Sequence, residues 1–332
     1  MTNQKLDETM DSAIVPTTGL STKLKHLATD WPQFGILAAL LVTVLCFTFI
    51  DPAFFSGYNF INICLQASVT AILAMAQTTI IITAGIDLSI GSAVALTAIV
   101  SGLLMKAGFP IPIAMLGSLA SGALAGLLNG IIITTTGITP FVVTLGTMSV
   151  FSGLALIIAN GQTVYGLPPL FSEILAGKVG FVPIPIIIAL AVLSVLSIML
   201  RSTKLGEYLI AIGGAREVAR LAGIKVAIYT AAAYVIASSL ASIAAMITVA
   251  RLGAADPIIG ADLLLPSVAA AVMGGADLMG GRGSMLGAVF GALLIATLQA
   301  GLTFLNVQAF YQQLAIGIVI ILALLFNRLQ ES

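Results

Sequence analysis

The sequence predicts an all-α protein that crosses a membrane many times, and two observations carry this prediction. Of the 332 residues, 59% are hydrophobic and only 8% are charged, and the mean hydropathy is +1.15. Charged residues make up about a quarter of an ordinary soluble domain. The apolar residues also form long runs, and a run that crosses a bilayer has to be helical because lipid satisfies none of its backbone polar groups. An ordinary water-soluble domain is therefore excluded.

Ten apolar segments are long enough, or nearly long enough, to cross the hydrocarbon core. They lie at about 34–50, 60–84, 88–105, 111–135, 140–160, 182–200, 227–250, 263–279, 284–305 and 308–327. The segments 88–105 and 263–279 are short and follow Gly and Asp, so eight spans with re-entrant segments are the alternative. We expect residues 1–33 to form a polar tail and residues 34–328 to form one membrane domain.

The distribution of basic residues predicts the orientation of these spans. With the N-terminus in the cytoplasm, only Lys106, Lys178 and Arg251 of the 13 Lys and Arg residues fall on the outer side. Positive charge accumulates in cytoplasmic loops of membrane proteins. Both termini and the segment 201–226 are therefore predicted to lie in the cytoplasm, with the chain in a bacterial inner membrane.

An internal repeat relates the two halves of the chain. Five residues recur at a constant offset of 175 positions: Gly85, Asp87, Leu88, Ser92 and Ala95 match Gly260, Asp262, Leu263, Ser267 and Ala270. Five spans per half is an odd number, so the two copies would cross the membrane in opposite directions, as an inverted repeat.

Two rows of glycine at four-residue spacing predict close helix packing. They are Gly122, Gly126 and Gly130 in the first half and Gly283, Gly287 and Gly291 in the second. Helices in lipid associate through such small residues, since lipid offers no hydrophobic driving force. The spacing leaves open whether the rows pack within one chain or between two chains.

Polar residues within the spans are candidates for a hydrophilic route. Asp87 and Asp262 each stand at the start of a predicted span, where capping of the helix competes with a role in a pathway. The uncharged candidates are Gln66, Gln77, Asn129, Thr144 and Gln299. Hydrogen bonds between helices would explain these side chains equally well.

Catalytic and metal-binding patterns are missing from the sequence. The only histidine, His26, lies in the polar tail, and Cys46 and Cys64 lie in apolar spans. The phosphate-loop pattern and the metalloprotease and hydrolase patterns do not occur. Because the net charge is zero, no nucleic-acid partner is expected. These observations predict a protein that is not an enzyme, binds no metal or cofactor, and draws energy for uphill transport from another subunit.

The segment 201–226 is unusual because it holds five of the basic residues of the chain. Within it, Ala215 to Gly223 has the pattern of a short helix whose apolar face is Val218, Leu221 and Ala222. Gly223 stands where a helix C-cap favours glycine. An apolar face outside the bilayer indicates a soluble partner, and an ordinary basic cytoplasmic loop is the alternative.

Four motifs in order resemble the ribose-type sugar permeases of ATP-binding cassette (ABC) importers. They are GIDLSIGS at Gly85–Ser92, TPFVVTLGTMSVFSG at Thr139–Gly153, AIGGAREVARLAGI at Ala211–Ile224 and VAAAVMGGADLMGGRGSMLGAVFGA at Val268–Ala292. The resemblance extends from about residue 34 to residue 328. It implies a helical permease that works as two copies, identical or paralogous, within membrane lipid.

The resemblance also implies partners. A cytoplasmic ATPase of two fused cassettes would bind the ATP, and a periplasmic or lipid-anchored binding protein would deliver the solute. The resemblance assigns docking of the ATPase to the coupling segment, residues 201–226. The residues of its coupling motif are Gly213, Gly214, Ala215, Arg216, Glu217, Val218, Ala219, Arg220, Leu221, Ala222 and Gly223.

Departures from the family pattern bear on the solute. Ala215 and Val218 replace a common Asn and Ala, while Asp262, Pro266 and the Gln299-Ala300-Gly301 run are typical of divergent members. A monosaccharide or a related polyol or glycoside is expected, without assuming ribose. The alternatives are a permease for nucleosides or branched-chain amino acids and, less favoured because few carboxylates lie in the spans, an ion-coupled secondary carrier.

Overall fold

The computed structural model describes residues 34–308, 310–318 and 321. The predicted tail at 1–33 lies outside the described residues, as do residues 309, 319, 320 and 322–327 of the last predicted span. The fold is therefore described from the first predicted span to the start of the tenth.

Twelve helices are bounded in the described residues, in this order: α1 Phe34–Ile50, α2 Gly57–Ile81, α3 Ile90–Lys106, α4 Ile111–Thr136, α5 Pro140–Ile158, α6 Pro169–Ala176, α7 Ile184–Ser202, α8 Lys204–Gly214, α9 Arg216–Leu221, α10 Val226–Leu252, α11 Leu264–Met273 and α12 Met285–Phe304. Short 3₁₀ turns occupy Pro52–Phe54 and Ala261–Leu263. A minimal antiparallel pair, β1 Lys178–Val179 and β2 Val182–Pro183, precedes α7. Residues 310–318 are also helical.

Six of the described helices are long and apolar enough to cross a membrane. They are α2, α4, α5, α7, α10 and α12. The predicted all-α, multi-pass membrane class is therefore confirmed. Exposed side chains such as Leu124 on α4 and Val195 on α7, each 65% exposed, give the bundle an apolar exterior suited to lipid.

The segment predicted to span at 263–279 is a much shorter helix in the structure. α11 has ten residues, which rise about 15 Å, or half the hydrocarbon thickness. The helix ends because Gly275, at φ +91°, follows it in the left-handed conformation, and the amide of Ala276 closes back on the carbonyl of Ala271. This helix is therefore too short to cross the hydrocarbon core by itself.

The two halves of the chain interlock through equivalent helices. α4 of the first half packs along α10 of the second half, and α12 of the second half packs along α2 of the first. The two glycine rows lie at close helix contacts, the first between the halves and the second within the second half. A Cβ at Gly126 or Gly130 would overlap the backbone of α10, and a Cβ at Gly287 or Gly291 would overlap the backbone of the segment formed by α11 and Gly274. Both rows therefore pack within one chain.

Candidate functional site

The loop at 253–263, which follows α10, contacts the start of α3. α10 ends at Gly253, which has φ +68°, and Ala255 then pairs with Val164 through two backbone hydrogen bonds of 2.8 and 3.0 Å. The 253–263 loop next brings Gly260, at φ +101°, against Gly91 in the first turn of α3. A Cβ at Gly91 would lie 2.6 Å from the carbonyl oxygen of Gly260. The starts of α3 and of the Ala261–Leu263 turn, one from each half, therefore lie in backbone contact.

A cavity of about 560 Å³ lies beside this meeting point. Its walls are the first turns of α3, the middle of α5 and the 253–263 loop. Three hydroxyl side chains line it, Ser92 from α3 and Ser149 and Ser152 from α5, and the other described lining residues are apolar or glycine. Its volume lies within the range of small-molecule sites. The chemistry is that of an uncharged chamber with a few hydroxyl groups.

A buried polar cluster lies under the cavity, in the 82–89 loop that joins α2 to α3. The side chain of Asp87 is completely buried. Its Oδ1 accepts hydrogen bonds from the backbone amide of Ser89 at 2.7 Å and from the Ser89 hydroxyl at 2.6 Å. Asn129 of α4 in turn donates from Nδ2 to the Ser89 hydroxyl at 2.8 Å. The cluster thus ties the start of α3 to α4.

Two further helices are tied to the backbone of the same loop. Gln77 of α2 donates from Nε2 to the carbonyl of Asp87 at 2.6 Å. The hydroxyl of Thr144 on α5 donates to the carbonyl of Ile86 at 3.2 Å, as well as to its own helix. The 82–89 loop is therefore held by α2, α4 and α5 at once.

Several buried polar atoms in this region have no hydrogen-bond partner among the described residues. They include Gln77 Oε1, Asp87 Oδ2, Asn129 Oδ1 and Tyr234 Oη. Tyr234 of α10 is fully buried, and its hydroxyl packs on Gly85, where an added Cβ would lie 2.8 Å away. These atoms are buried without a hydrogen bond among the described residues, and burying a polar atom in this way costs free energy.

The structure gathers four of the seven polar candidates predicted from sequence, namely Asp87, Gln77, Asn129 and Thr144, around the 82–89 loop. The other three lie elsewhere. Gln66 on α2 is exposed, Gln299 on α12 is partly buried, and Asp262 is exposed in the Ala261–Leu263 turn. None of the seven is among the residues that line the cavity.

Of the cavity hydroxyls, Ser92 was named from sequence only as a member of the repeat, and Ser149 and Ser152 were not identified. Ser149 and Ser152 lie three residues apart, which places them on one face of α5. Their spacing within the Thr139–Gly153 motif was the available signal. What the sequence does not show is that α3 and the 253–263 loop face the same side of α5.

The coupling segment folds as two helices joined at Ala215. Thr203 caps α8 by accepting from the amide of Gly206 at 3.3 Å. After α9, Gly223 has φ +84°, and the amide of Ile224 donates to the carbonyl of Ala219 at 3.1 Å. This is the glycine C-cap that the sequence predicts.

α9 presents an apolar surface, as its sequence pattern predicts. Val218 is 65% exposed and Leu221 is 81% exposed, whereas Ala219 is only 4% exposed and anchors the helix. Glu217 and Arg220 form an exposed ion pair at 2.8 Å beside this surface. An exposed pair of this kind adds little stability. The apolar face of α9 therefore has no cover among the described residues.

Known proteins match this chain along most of its length. The family described as "Branched-chain amino acid transport system / permease component" matches residues 59–324. The D-allose transport system permease protein of Escherichia coli strain K12 is 34% identical, over 94% of this chain and 99% of that protein. The ribose import permease protein of Bacillus subtilis strain 168 is 35% identical, over 95% of this chain and 99% of that protein.

A third relative is the galactose/methyl galactoside import permease protein of Haemophilus influenzae, which is 32% identical over 90% of this chain and 95% of that protein. No solved structure matches the chain significantly. Permeases of ABC systems work with an ATPase and a solute-binding protein, so membership implies both kinds of partner. The full-length matches, the family motifs and the multi-pass helical fold agree, and the chain belongs to this family of ABC transporter permeases.

Proposed function

We propose that this chain is the membrane-spanning subunit of an importer for a monosaccharide or a related polyol or glycoside. The observation that carries the proposal is the cavity between α3, α5 and the 253–263 loop, whose described lining offers serine hydroxyls and no charged side chain. A neutral polyhydroxy solute can exchange water for such hydroxyls. A zwitterionic amino acid would bring two charges into a chamber that offers no opposite charge, which is costly.

The names of the relatives support the same solute class, since allose, ribose and galactose are all neutral sugars. The solute would pass through the cavity by alternating access, with two permease copies forming the complete route. ATP would be bound by the partner ATPase, which we propose carries two fused cassettes. A binding protein would deliver the solute at the outer face.

The ATPase would dock on α9, with the coupling segment and both termini in the cytoplasm. Burying a fully exposed leucine contributes about 1.5–3 kcal/mol, and Leu221 is the most exposed large apolar residue of α9. Ala219 holds α9 on the membrane body, so that α9 can receive force from a partner. ATP-driven movement shifts the permease only if the ATPase binds its two states with different affinities.

Uptake of labelled solutes tests the solute class. The chain, its partner ATPase and its binding protein are expressed in a host that lacks its own sugar permeases. Uptake of a panel of monosaccharides is then compared with uptake of leucine and of a nucleoside. We expect a monosaccharide to be taken up. Saturable uptake of leucine or a nucleoside alone would contradict the proposal.

A pair of variants on α5 tests the role of the cavity in the same assay. Ser149→Phe fills the chamber from a lining position, while Val150→Phe is the matched control because Val150 is 50% exposed and does not line the chamber. We expect uptake to be lost in the first variant and kept in the second. Equal uptake in both variants would remove the cavity from the route.

Purification of the permease in mild detergent tests the docking of the ATPase. Leu221→Asp is expected to lower recovery of the ATPase, while Leu252→Asp, at the opposite end of α10 and 63% exposed, is expected to leave recovery unchanged. Uptake that persists without any ATPase would favour an ion-coupled carrier instead.

A further inference from the structure

Three backbone segments meet where α8 ends, just before the docking helix α9. The carbonyl of Ile82, at the end of α2, accepts a hydrogen bond of 2.8 Å from the amide of Gly281. Gly213, in the last turn of α8, lies against both partners. A Cβ on Gly213 would overlap the Ile82 carbonyl oxygen and would lie 2.5 Å from the Gly281 nitrogen. We call these three residues the junction.

The junction is made of backbone without intervening side chains. Gly280 and Gly281 have φ of +91° and +76°, which fits them into a tight turn closed by a 2.8 Å hydrogen bond from the Gly280 amide to the carbonyl of Asp277. A Cβ on Gly281 would lie 2.9 Å from the Cα of Gly214. Side chains can change rotamer and absorb a displacement, whereas backbones in direct contact transmit it.

The junction connects both functional regions of the chain. On one side, Gly213 is followed within three residues by α9, which carries the exposed apolar face. On the other side, Ile82 begins the 82–89 loop, which is pinned at Asp87 by Gln77 and by Ser89. That loop leads directly into the residues of α3 that line the cavity. The turn at 280–281 leads into α12, so the second half is engaged as well.

We propose that Gly213 is a positioning residue through which movement of α9 reaches the 82–89 loop and the cavity wall. The inference rests on the proposed function, since it assumes that a partner ATPase moves α9. An energetic measurement on matched variants tests whether coupling uses this route. The structure supplies a matched pair of residues for that measurement.

The pair is Gly213→Ala and Gly214→Ala. The two glycines are consecutive, but a methyl group on Gly214 would meet nothing within 4 Å, while one on Gly213 would overlap the junction. Each variant is assembled with the ATPase and the binding protein in proteoliposomes. Copurification of the ATPase, basal ATP hydrolysis, solute-stimulated ATP hydrolysis and solute uptake are measured for both.

Solute-stimulated hydrolysis and uptake are compared per amount of copurified ATPase, so that a loss of docking is separated from a loss of coupling. Gly213→Ala is expected to reduce solute-stimulated hydrolysis and uptake by about tenfold, in the range of ordinary allosteric coupling, while Gly214→Ala stays near wild type. Uptake by Gly213→Ala equal to that of Gly214→Ala would overturn the inference. Failure of the wild-type chain to bind an ATPase would instead overturn the docking part of the proposed function.

Where Gly213→Ala does not insert into the membrane, hydrogen exchange on the wild-type complex decides the inference. A junction that transmits movement stays closed in both nucleotide states, so the Gly281 amide is expected to exchange equally slowly with and without a non-hydrolysable ATP analogue. Exchange at least about tenfold faster in one state, which reports local opening, would show that the junction breaks during the cycle and would overturn the inference.

Discussion

A Gly-x-Asp-Leu pattern at Gly85–Leu88 recurs 175 positions later at Gly260–Leu263, and the structure places these two copies in opposite surroundings. Asp87 is completely buried and accepts two hydrogen bonds from Ser89. Asp262, at the equivalent position, is exposed in a 3₁₀ turn whose N-cap is Gly260. One aspartate therefore organises a loop, and the other lies at the edge of the 253–263 loop.

The glycines of the two copies differ in the same way. Gly85 approaches the side chains of Tyr234 and Ile80, whereas Gly260 has φ +101° and approaches the backbone of Gly91. A repeated pattern thus identifies equivalent positions, but it does not identify equivalent roles. In the first copy Asp87 holds the start of α3, and in the second copy Gly260 lets the 253–263 loop contact α3 beside the cavity.

Alanine at the two aspartates is expected to give the largest contrast. Asp87→Ala leaves the amide and hydroxyl of Ser89 without their acceptor inside the bundle, at a cost of about 1–3 kcal/mol for each unsatisfied group. Asp262→Ala, at an exposed site, is expected to change the free energy of unfolding by less than about 0.5 kcal/mol. Unfolding of both variants in mixed micelles measures the difference.

Asp87→Asn serves as the control, because an amide oxygen can still accept from Ser89. It is expected to be closer to wild type than Asp87→Ala. If Asp87→Ala and Asp262→Ala lost the same amount of stability, the prediction would be wrong, because the hydrogen bonds from Ser89 to Asp87 would then add no measurable stability.

Alanine at the two glycines is expected to give the next largest effect. In Gly260→Ala the methyl group meets a backbone oxygen at 2.5 Å while the residue stays at φ +101°, so strain and overpacking together are expected to cost about 2–4 kcal/mol. Gly85→Ala meets only side-chain atoms below 3 Å, and these can shift. It is expected to cost about 1 kcal/mol. Thermal unfolding in detergent compares the two, and the opposite order would contradict the contact geometry.

Patterns in the sequence predicted the features that are set by residues close together in the chain. Hydropathy located the membrane segments, the glycine after α9 predicted its C-cap, and four-residue spacing identified the glycine rows. Contacts between distant segments were beyond such patterns, since Asn129 and Ser89 are 40 positions apart. The end of α11 was likewise hidden, because the residues after Met273 are mostly apolar or glycine, and glycine is common within membrane helices. The cavity depends on three segments from different parts of the chain, so no single motif describes it.

The equivalent serines Ser92 and Ser267 test whether the solute contacts the first copy of the repeat and not the second. Ser92 lines the cavity, while Ser267 is fully buried and donates to the carbonyl of Leu264 at 2.7 Å. Ser92→Ala is expected to raise the apparent KM for uptake about fivefold, the equivalent of one hydrogen bond. Ser267→Ala is expected to leave KM unchanged. Both variants are measured at equal amounts of inserted protein, and a KM change in Ser267→Ala alone would place the solute elsewhere.

Removal of the Tyr234 hydroxyl is expected to have the smallest effect on the free energy of unfolding. It also distinguishes the contact made at Gly85 from the contact made at Gly260. The hydroxyl has no hydrogen-bond partner among the described residues, so Tyr234→Phe is expected to change the free energy of unfolding by less than about 1 kcal/mol. In the Gly85→Ala background it should recover part of the lost stability, because the atom 2.8 Å from the new methyl group is gone. In the Gly260→Ala background it should recover no stability, since that methyl group meets backbone.

A double-mutant cycle by thermal unfolding measures the coupling of Tyr234→Phe to each glycine variant. Recovery in the Gly260→Ala background would mean that the two loops are coupled through the interior of the bundle rather than strained independently.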